Sequence, residues 1–198
     1  MPIVLEKGSK INLSKENKQL GKINVNLNWN SGTQKGIFAS LFGTKSIDLD
    51  LGCLYELKDG SIGAVQALGN SFGSFDSKPY VHLDGDDRTG TNSDGENLFI
   101  NGNKIKDIKR ILVYTFIYEG ITNWKEANGN IRINVPGQEE ILINMDEYSN
   151  SYSMCALAII ENVNDNNFSV EKLVRFFDGH RSMDKAYNWG LKWVAGRK

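Results

Sequence analysis

Between residues 23 and 29 the chain reads Ile-Asn-Val-Asn-Leu-Asn-Trp, with an apolar side chain at every odd position and an asparagine between each pair. Successive side chains of an extended backbone point to opposite faces, so a strand would bury one set and wet the other. A helix would scatter the same residues around its whole circumference. Strand-forming runs recur at short intervals, at 11–13, 48–57, 61–68, 80–83, 98–100, 111–118, 131–135, 141–145, 154–163 and 168–177. Turn residues stand between them. Asp59-Gly60, flanked by Leu57-Lys58 and Ser61, suit a two-residue type I′ hairpin, and Asn101-Gly102 mark another turn. About ten short strands joined in this way predict an all-β fold, an antiparallel β-sandwich, rather than alternating strand–helix units.

One helix is expected, at the C-terminus. Met183, Ala186, Tyr187, Gly190, Leu191 and Val194 follow the 3.6-residue repeat, with Ser182 placed to cap it. The segment 31–46 reads as a loop whose apolar centre, 37–42, could cover a sheet edge. The 198 residues are 40% hydrophobic, enough for a substantial core, and are read as a single domain over 1–198. A net charge of −1 implies no general attraction to nucleic acid. The opening residues carry no leader pattern and no run reaches membrane-spanning length, so a cytoplasmic location is expected. Cys53 and Cys155 stand apart with no metal-type spacing and read as core thiols.

The chemistry concentrates in His82–Asn97. That run holds Asp84, Asp86, Asp87, Asp94 and Glu96, broken by three glycines and joined by Thr89, Thr91, Asn92, Ser93 and Asn97. Turn-forming residues fold such a segment back on itself and bring its carboxylates together, where a hard divalent cation relieves their repulsion. Ca²⁺ takes six to eight oxygen ligands in a flexible geometry, as such a loop could supply. A solvated acidic hairpin is the plainer reading. The run is not an EF-hand, since Arg88, Thr89 and Gly95 stand where that loop needs an acid or amide, a glycine and a glutamate. A second acidic element lies at Ile47-Asp48-Leu49-Asp50-Leu51, whose alternation puts Asp48 and Asp50 on one strand face. An ordinary exposed edge strand is the lesser alternative.

These residues carry a family resemblance. Ser46-Ile-Asp-Leu-Asp-Leu51 and Val81-His-Leu-Asp-Gly-Asp-Asp-Arg-Thr-Gly90, with the acidic 93–96 behind them, resemble the TerD family of tellurite-resistance and general stress proteins. The opening 3–14, the 25–29 strand and 108–118 match as well, and the segment 177–196 is similar to the ending of the TerA-type branch. The resemblance implies a calcium-binding β-sandwich. It pairs the two acidic segments, so that Asp48 and Asp50 join Asp84, Asp86, Asp87, Asn92, Asp94 and Glu96 around one or two Ca²⁺ ions. One departure bears on ion number: Thr91-Asn92-Ser93 precede Asp94, and Asn97 replaces an acid.

Catalytic signals are thin. His82 and His180 are the two imidazoles, read as a structural histidine at a strand end and a turn residue before the helix. No nucleophile elbow, phosphate loop or zinc-binding helix occurs in the sequence. The expectation is a non-catalytic calcium-binding module of a tellurite or stress-resistance system, working within a multiprotein assembly. The alternative is a calcium-dependent binder of nucleotide, phosphate or sugar, which Arg88 and Trp29 would fit. Partners would be other proteins of that system or a second copy of the chain, through a C-terminal segment rich in Phe176, Phe177, Tyr187, Trp189 and Trp193. Packing into the core is the other use for those aromatics.

Overall fold

A computed structural model describes residues 1–13, 19–29, 47–85, 95–119, 124–145, 149 and 151–195. The strands are β1 (Ile3–Val4), β2 (Lys10–Leu13), β3 (Lys22–Asn28), β4 (Asp48–Leu57), β5 (Ile62–Gln66), β6 (Gly73–Ser74) and β7 (Val81–Leu83). They continue with β8 (Glu96–Asn101), β9 (Ile108–Glu119), β10 (Asn130–Asn134), β11 (Ile141–Asn144), β12 (Met154–Val163) and β13 (Asn167–Phe177). Two short α-helices, α1 (Trp124–Ala127) and α2 (His180–Ala186), and a 3-10 turn at Gly102–Lys104 complete the described elements.

One sheet has the order β1-β11-β10-β3-β8-β7-β6 and the other the order β2-β13-β12-β9-β4-β5. Pairing is antiparallel except where β1 lies parallel to β11. The alternation of 23–29 places β3 within the first sheet. Ile23, Val25 and Leu27 are fully buried in the inter-sheet core, each contributing roughly 1.5–3 kcal/mol of burial. Asn24, Asn26 and Asn28 line the outer face with Asn97, Asn130, Arg132 and Asn134. There Asn24 and Asn26 both donate to the Asn97 side chain, at 3.1 Å each.

The six-stranded sheet is buried on both faces along its middle. Leu49, Leu51, Cys53, Ile111, Val113 and Leu157 face the first sheet. Leu54, Leu112, Tyr114, Phe116, Met154 and Ala156 form a second cluster, covered by Phe177, Met183 and Trp189. Burial on two sides explains why β12 opens as the continuous apolar run Met-Cys-Ala-Leu-Ala-Ile-Ile. It also accounts for two of the C-terminal aromatics, Phe177 and Trp189, which pack on this sheet; Phe176 packs instead toward the inter-sheet core, its ring tilted against Trp124 at 5.4 Å.

Three local expectations need correction. The β4–β5 connection is a three-residue turn, since Gly60 N–H donates to Leu57 O and Leu57 N–H to Ser61 O. Gly60 takes φ +87 while Asp59 does not enter the left-handed region that a type I′ turn requires. The C-terminal helix is shorter than 183–194 and starts earlier, at His180, so Ser182 lies inside it and bonds back to Asp178 and Gly179. It stops at Ala186 because the chain reverses through Asn188 (φ 53) and Gly190 (φ +83). Asp184 holds the reversal, accepting from the backbone N–H of Gly190 and Leu191 and from Trp193 Nε1 at 2.9–3.0 Å. Arg110 clamps it from β9, donating to Tyr187 O and Asn188 O and lying 3.9 Å over the Trp189 ring. The third is α1, whose single turn is too short to show a periodic pattern; it buries Trp124 and Ala127. The segment 31–46, expected as a loop, lies outside the described residues apart from its neighbour Ile47.

Candidate functional site

β5 covers β4 only over 52–56, so 48–51 lie at a sheet margin, but Asp48 and Asp50 are buried there and the exposed edge-strand reading does not hold. The alternation does: Leu49 and Leu51 enter the inter-sheet core, and the two aspartates share the opposite face. That face is covered. Asp48 is 6% exposed and Asp50 is fully buried, with Phe116 as its cross-strand neighbour. The Asp50 charge is felt by Tyr114, whose phenol is held well above its ordinary pKa by burial first, then by Cys53 and Asp50.

β5 pairs with β4 from Glu56 back to Gly52 and then ends, so Leu51 N–H lies beyond its reach. Glu96 fills the gap. Its Oε2 accepts from Leu51 N at 2.6 Å, a charge-assisted bond of about twice the strength of a neutral one. Glu96 opens β8, which belongs to the other sheet, and is 1% exposed. Its carboxylate therefore crosses from one sheet to the other and settles on the peptide that joins Asp50 to Leu51.

Gly95 makes that crossing possible. It adopts φ +62, and a Cβ there would come within 2.1 Å of Leu27 O, so a side chain is excluded on two counts. At the other end of the acidic run, Asp84 N–H donates to Asn97 O at 2.9 Å, extending the β7–β8 pairing to the base of the loop. The Asp84 side chain is exposed, and Gly85 follows at φ 83. Residues 86–94 connect these two anchored ends, and Asp86, Asp87, Asn92 and Asp94, together with Arg88, lie outside the described residues.

Of the eight proposed ligands, the structure thus describes four. It brings Glu96 onto the Asp50–Leu51 peptide, sets Asp48 two residues away on the same strand, and leaves Asp84 on the outer side of the hairpin base. Buried carboxylates require hydrogen bonds, an opposite charge or a coordinated metal. This donor set is entirely oxygen, which suits a hard cation better than zinc. Among the described residues no three His, Cys, Asp or Glu groups form a metal-holding cluster, so a complete site would need oxygens from 86–94.

The remaining candidates are occupied structurally. His82 Nδ1 donates to Phe72 O at 3.1 Å. Trp29, a possible ligand-facing ring, is instead buried, with its indole N–H donating to Ile47 O at 3.1 Å. Both cysteines are buried free thiols, and burial pushes the Cys53 thiol far up, away from reactive thiolate chemistry. His180 is not a turn residue: it opens α2 and sits in a cage of Tyr114, Phe116 and Trp193 rings at 5.6, 5.1 and 4.7 Å. Its Nε2–H donates to Gln66 Oε1 at 2.9 Å, which also accepts from Tyr114 OH at 2.7 Å. This Gln66–His180–Tyr114 group escaped sequence reasoning, because nothing local links residues so far apart. No helix among the described residues is long and apolar enough to cross a membrane.

Comparison with known proteins places this geometry in context. The TerD domain family matches residues 1–142, which contain both acidic segments. A protein of Alcaligenes sp. described as tellurium resistance protein TerA is 42% identical over 96% of this chain, and the chain spans 59% of that relative's length. Two solved structures share the fold. The protein of unknown function SAV2460 superposes with a TM-score of 0.63 at 13% identity, covering 88% of this chain and all of that one. A homologue of telluride resistance protein (TerD), SCO6318 from Streptomyces coelicolor A3(2), gives 0.57 at 16% identity, covering 83% and 95%. With a sandwich of two sheets that these structures share and a family match across both acidic segments, the chain belongs to the TerD domain family.

Proposed function

We propose that this chain is a non-catalytic Ca²⁺-binding module of a tellurite or general stress-resistance system, working in the cytoplasm as part of a multiprotein assembly. The observation that carries the reading is the Glu96 carboxylate laid on the Asp50–Leu51 peptide, beside two further buried acids and at the root of an acidic loop. Asp48, Asp50, Asp84, Asp86, Asp87, Asn92, Asp94 and Glu96 would hold one or two ions. A bound Ca²⁺ would supply positive charge that offsets the repulsion between these carboxylates. The chain's own contribution is to fix two ends of the set: Gly95 aims Glu96 inward, and β4 holds Asp48 and Asp50 rigid inside the sheet.

Both imidazoles are taken up by structural hydrogen bonds, which supports a role without catalysis. The resistance role rests on the similarity to the TerA protein. That relative extends well beyond the matched region, so the assembly is inferred for this chain from the similarity alone. Titrating chelator-treated protein with Ca²⁺ in a calorimeter tests the reading. Saturable heat in the wild type, lost in Asp50→Asn and Asp86→Asn, is expected. Equal heats in all three proteins, or none in the wild type, would reject it.

A further inference from the structure

The C-terminal segment does more than cover the six-stranded sheet. Between the β5 edge and the tail that follows α2 lies a cavity of about 860 Å³, within the range of small-molecule sites. We propose that this cavity binds a small organic anion, an apolar body carrying a phosphate or carboxylate group. The proposal does not depend on the calcium reading.

The walls divide by chemistry. Ala64, Leu68, Leu191 and Trp193 supply apolar surface. The polar lining includes Gln66, 7% exposed, whose Oε1 is taken up by Tyr114 OH and His180 Nε2–H. With that oxygen committed, what the Gln66 amide has left to offer is its NH₂, a donor. Burial lowers the His180 pKa to about 4, and because Gln66 Oε1 can only accept, the Nε2 tautomer of the neutral ring is the donor. The rim carries Arg181, Lys185 and Lys192 against one carboxylate, Asp178. Asp178 already accepts the Ser182 hydroxyl, and Arg181 is positioned by a 3.2 Å bond to Trp193 O.

An excess of cations and donors over an apolar wall selects the ligand class. Inorganic phosphate would answer the rim and leave the walls wet. A hydrocarbon would cover the walls and leave the rim charge unanswered. A molecule with both parts answers each, and charge-assisted hydrogen bonds to Arg181 or a lysine would orient it. The rim cations, with Leu191 and Trp193 of the apolar wall, come from residues 178–195, beyond the 1–142 matched by the TerD domain family.

The experiment uses the full chain with a chelator present, so that the acidic site plays no part. Adenosine monophosphate and octanoate represent two sources of the same chemistry, and adenosine, octanol and inorganic phosphate are the controls. Calorimetry and tryptophan fluorescence report binding, the latter because Trp193 lines the cavity. At least one of the two organic anions is expected to bind with a Kd below about 1 mM, and the controls at least tenfold more weakly. The double charge reversal Lys185→Glu/Lys192→Glu should weaken that binding at least tenfold while the melting temperature stays within about 2 °C, since both lysines are exposed. Trp193→Phe should remove most of the fluorescence change. The proposal is overturned if neither anion binds at 1 mM to folded protein (a concentration of roughly 4 kcal/mol affinity), if a control binds equally well, or if charge reversal leaves the affinity unchanged.

Discussion

At Asp184 a buried carboxylate accepts hydrogen bonds from Gly190, Leu191 and Trp193, all within nine residues of it in the chain. At the start of β4 the buried carboxylates of Asp48, Asp50 and Glu96 come from strands of two different sheets, and an acidic loop adds more of the same charge. Both regions bury negative charge. The first answers it with donors from its own tail, and the result is a reversal that ends a helix. The second draws its acids from distant segments: Glu96 is held by the Leu51 N–H, and the cation that would join it to Asp48, Asp50 and the loop belongs to the proposal above. A buried acid in this fold is therefore a structural device where its donors are local, and a candidate ligand where its neighbours are other acids.

The sharpest way to break the comparison is to remove Asp184. Asp184→Ala strands three N–H donors in a half-buried setting at about 1–3 kcal/mol each, so a loss of at least about 3 kcal/mol is expected in urea denaturation. Calcium should not restore it. Gly95→Ala acts on the other region, forcing a Cβ against Leu27 O and a non-glycine residue into φ +62. A loss of about 3 kcal/mol is expected, measured in chelator by the same method, with any Ca²⁺ response lost as well. Arg110→Ala releases the carbonyls of Tyr187 and Asn188 and unstacks Trp189, and should cost about 2 kcal/mol. It should leave calcium binding untouched, which separates the two regions.

A smaller effect comes from His180. Burial lowers its pKa from 6.5 to about 4, so the unfolded chain takes up the proton first as pH falls. Its contribution is neutral above pH 6.5, and stability declines between pH 6.5 and 4 as the unfolded state becomes favoured. After allowance for partial solvent access, about 2 kcal/mol is at stake. Because carboxylates titrate in the same window, the readout is a difference. The melting temperature of His180→Gln should fall less steeply than that of the wild type over this range, and parallel profiles would refute the assignment.

How much of this was legible in the sequence depends on whether the signal is local. β4 at 48–57 and β12 at 154–163 were placed to the residue, because alternation and a continuous apolar run each report burial directly. The helix expected over 183–194 was overextended for a related reason. Leu191 and Trp193 do pack on the same sheet face as Met183 and Ala186, but they do so from a reversed, non-helical tail, and an apolar spacing cannot tell the two apart. The acidic run at 84–96 was plain to see. That Glu96 would reach across to Leu51 was not, because it depends on β5 ending at Gln66, a fact of pairing between distant strands. The burial of Asp50 is likewise imposed from outside its own segment, by Phe116 and the cluster around it.

The measurement that bears most directly on the distinction between the two regions is the melting temperature of wild type, Glu96→Gln, Asp50→Asn and Asp184→Ala, each in chelator and in Ca²⁺. At a hundredfold excess over Kd, bound calcium should add roughly 2.7 kcal/mol to the wild type. Asp184→Ala should start lower and show the same calcium increment, while Glu96→Gln and Asp50→Asn should show little or none. A wild type indifferent to calcium, or a Glu96→Gln variant that responds in full, would contradict the account.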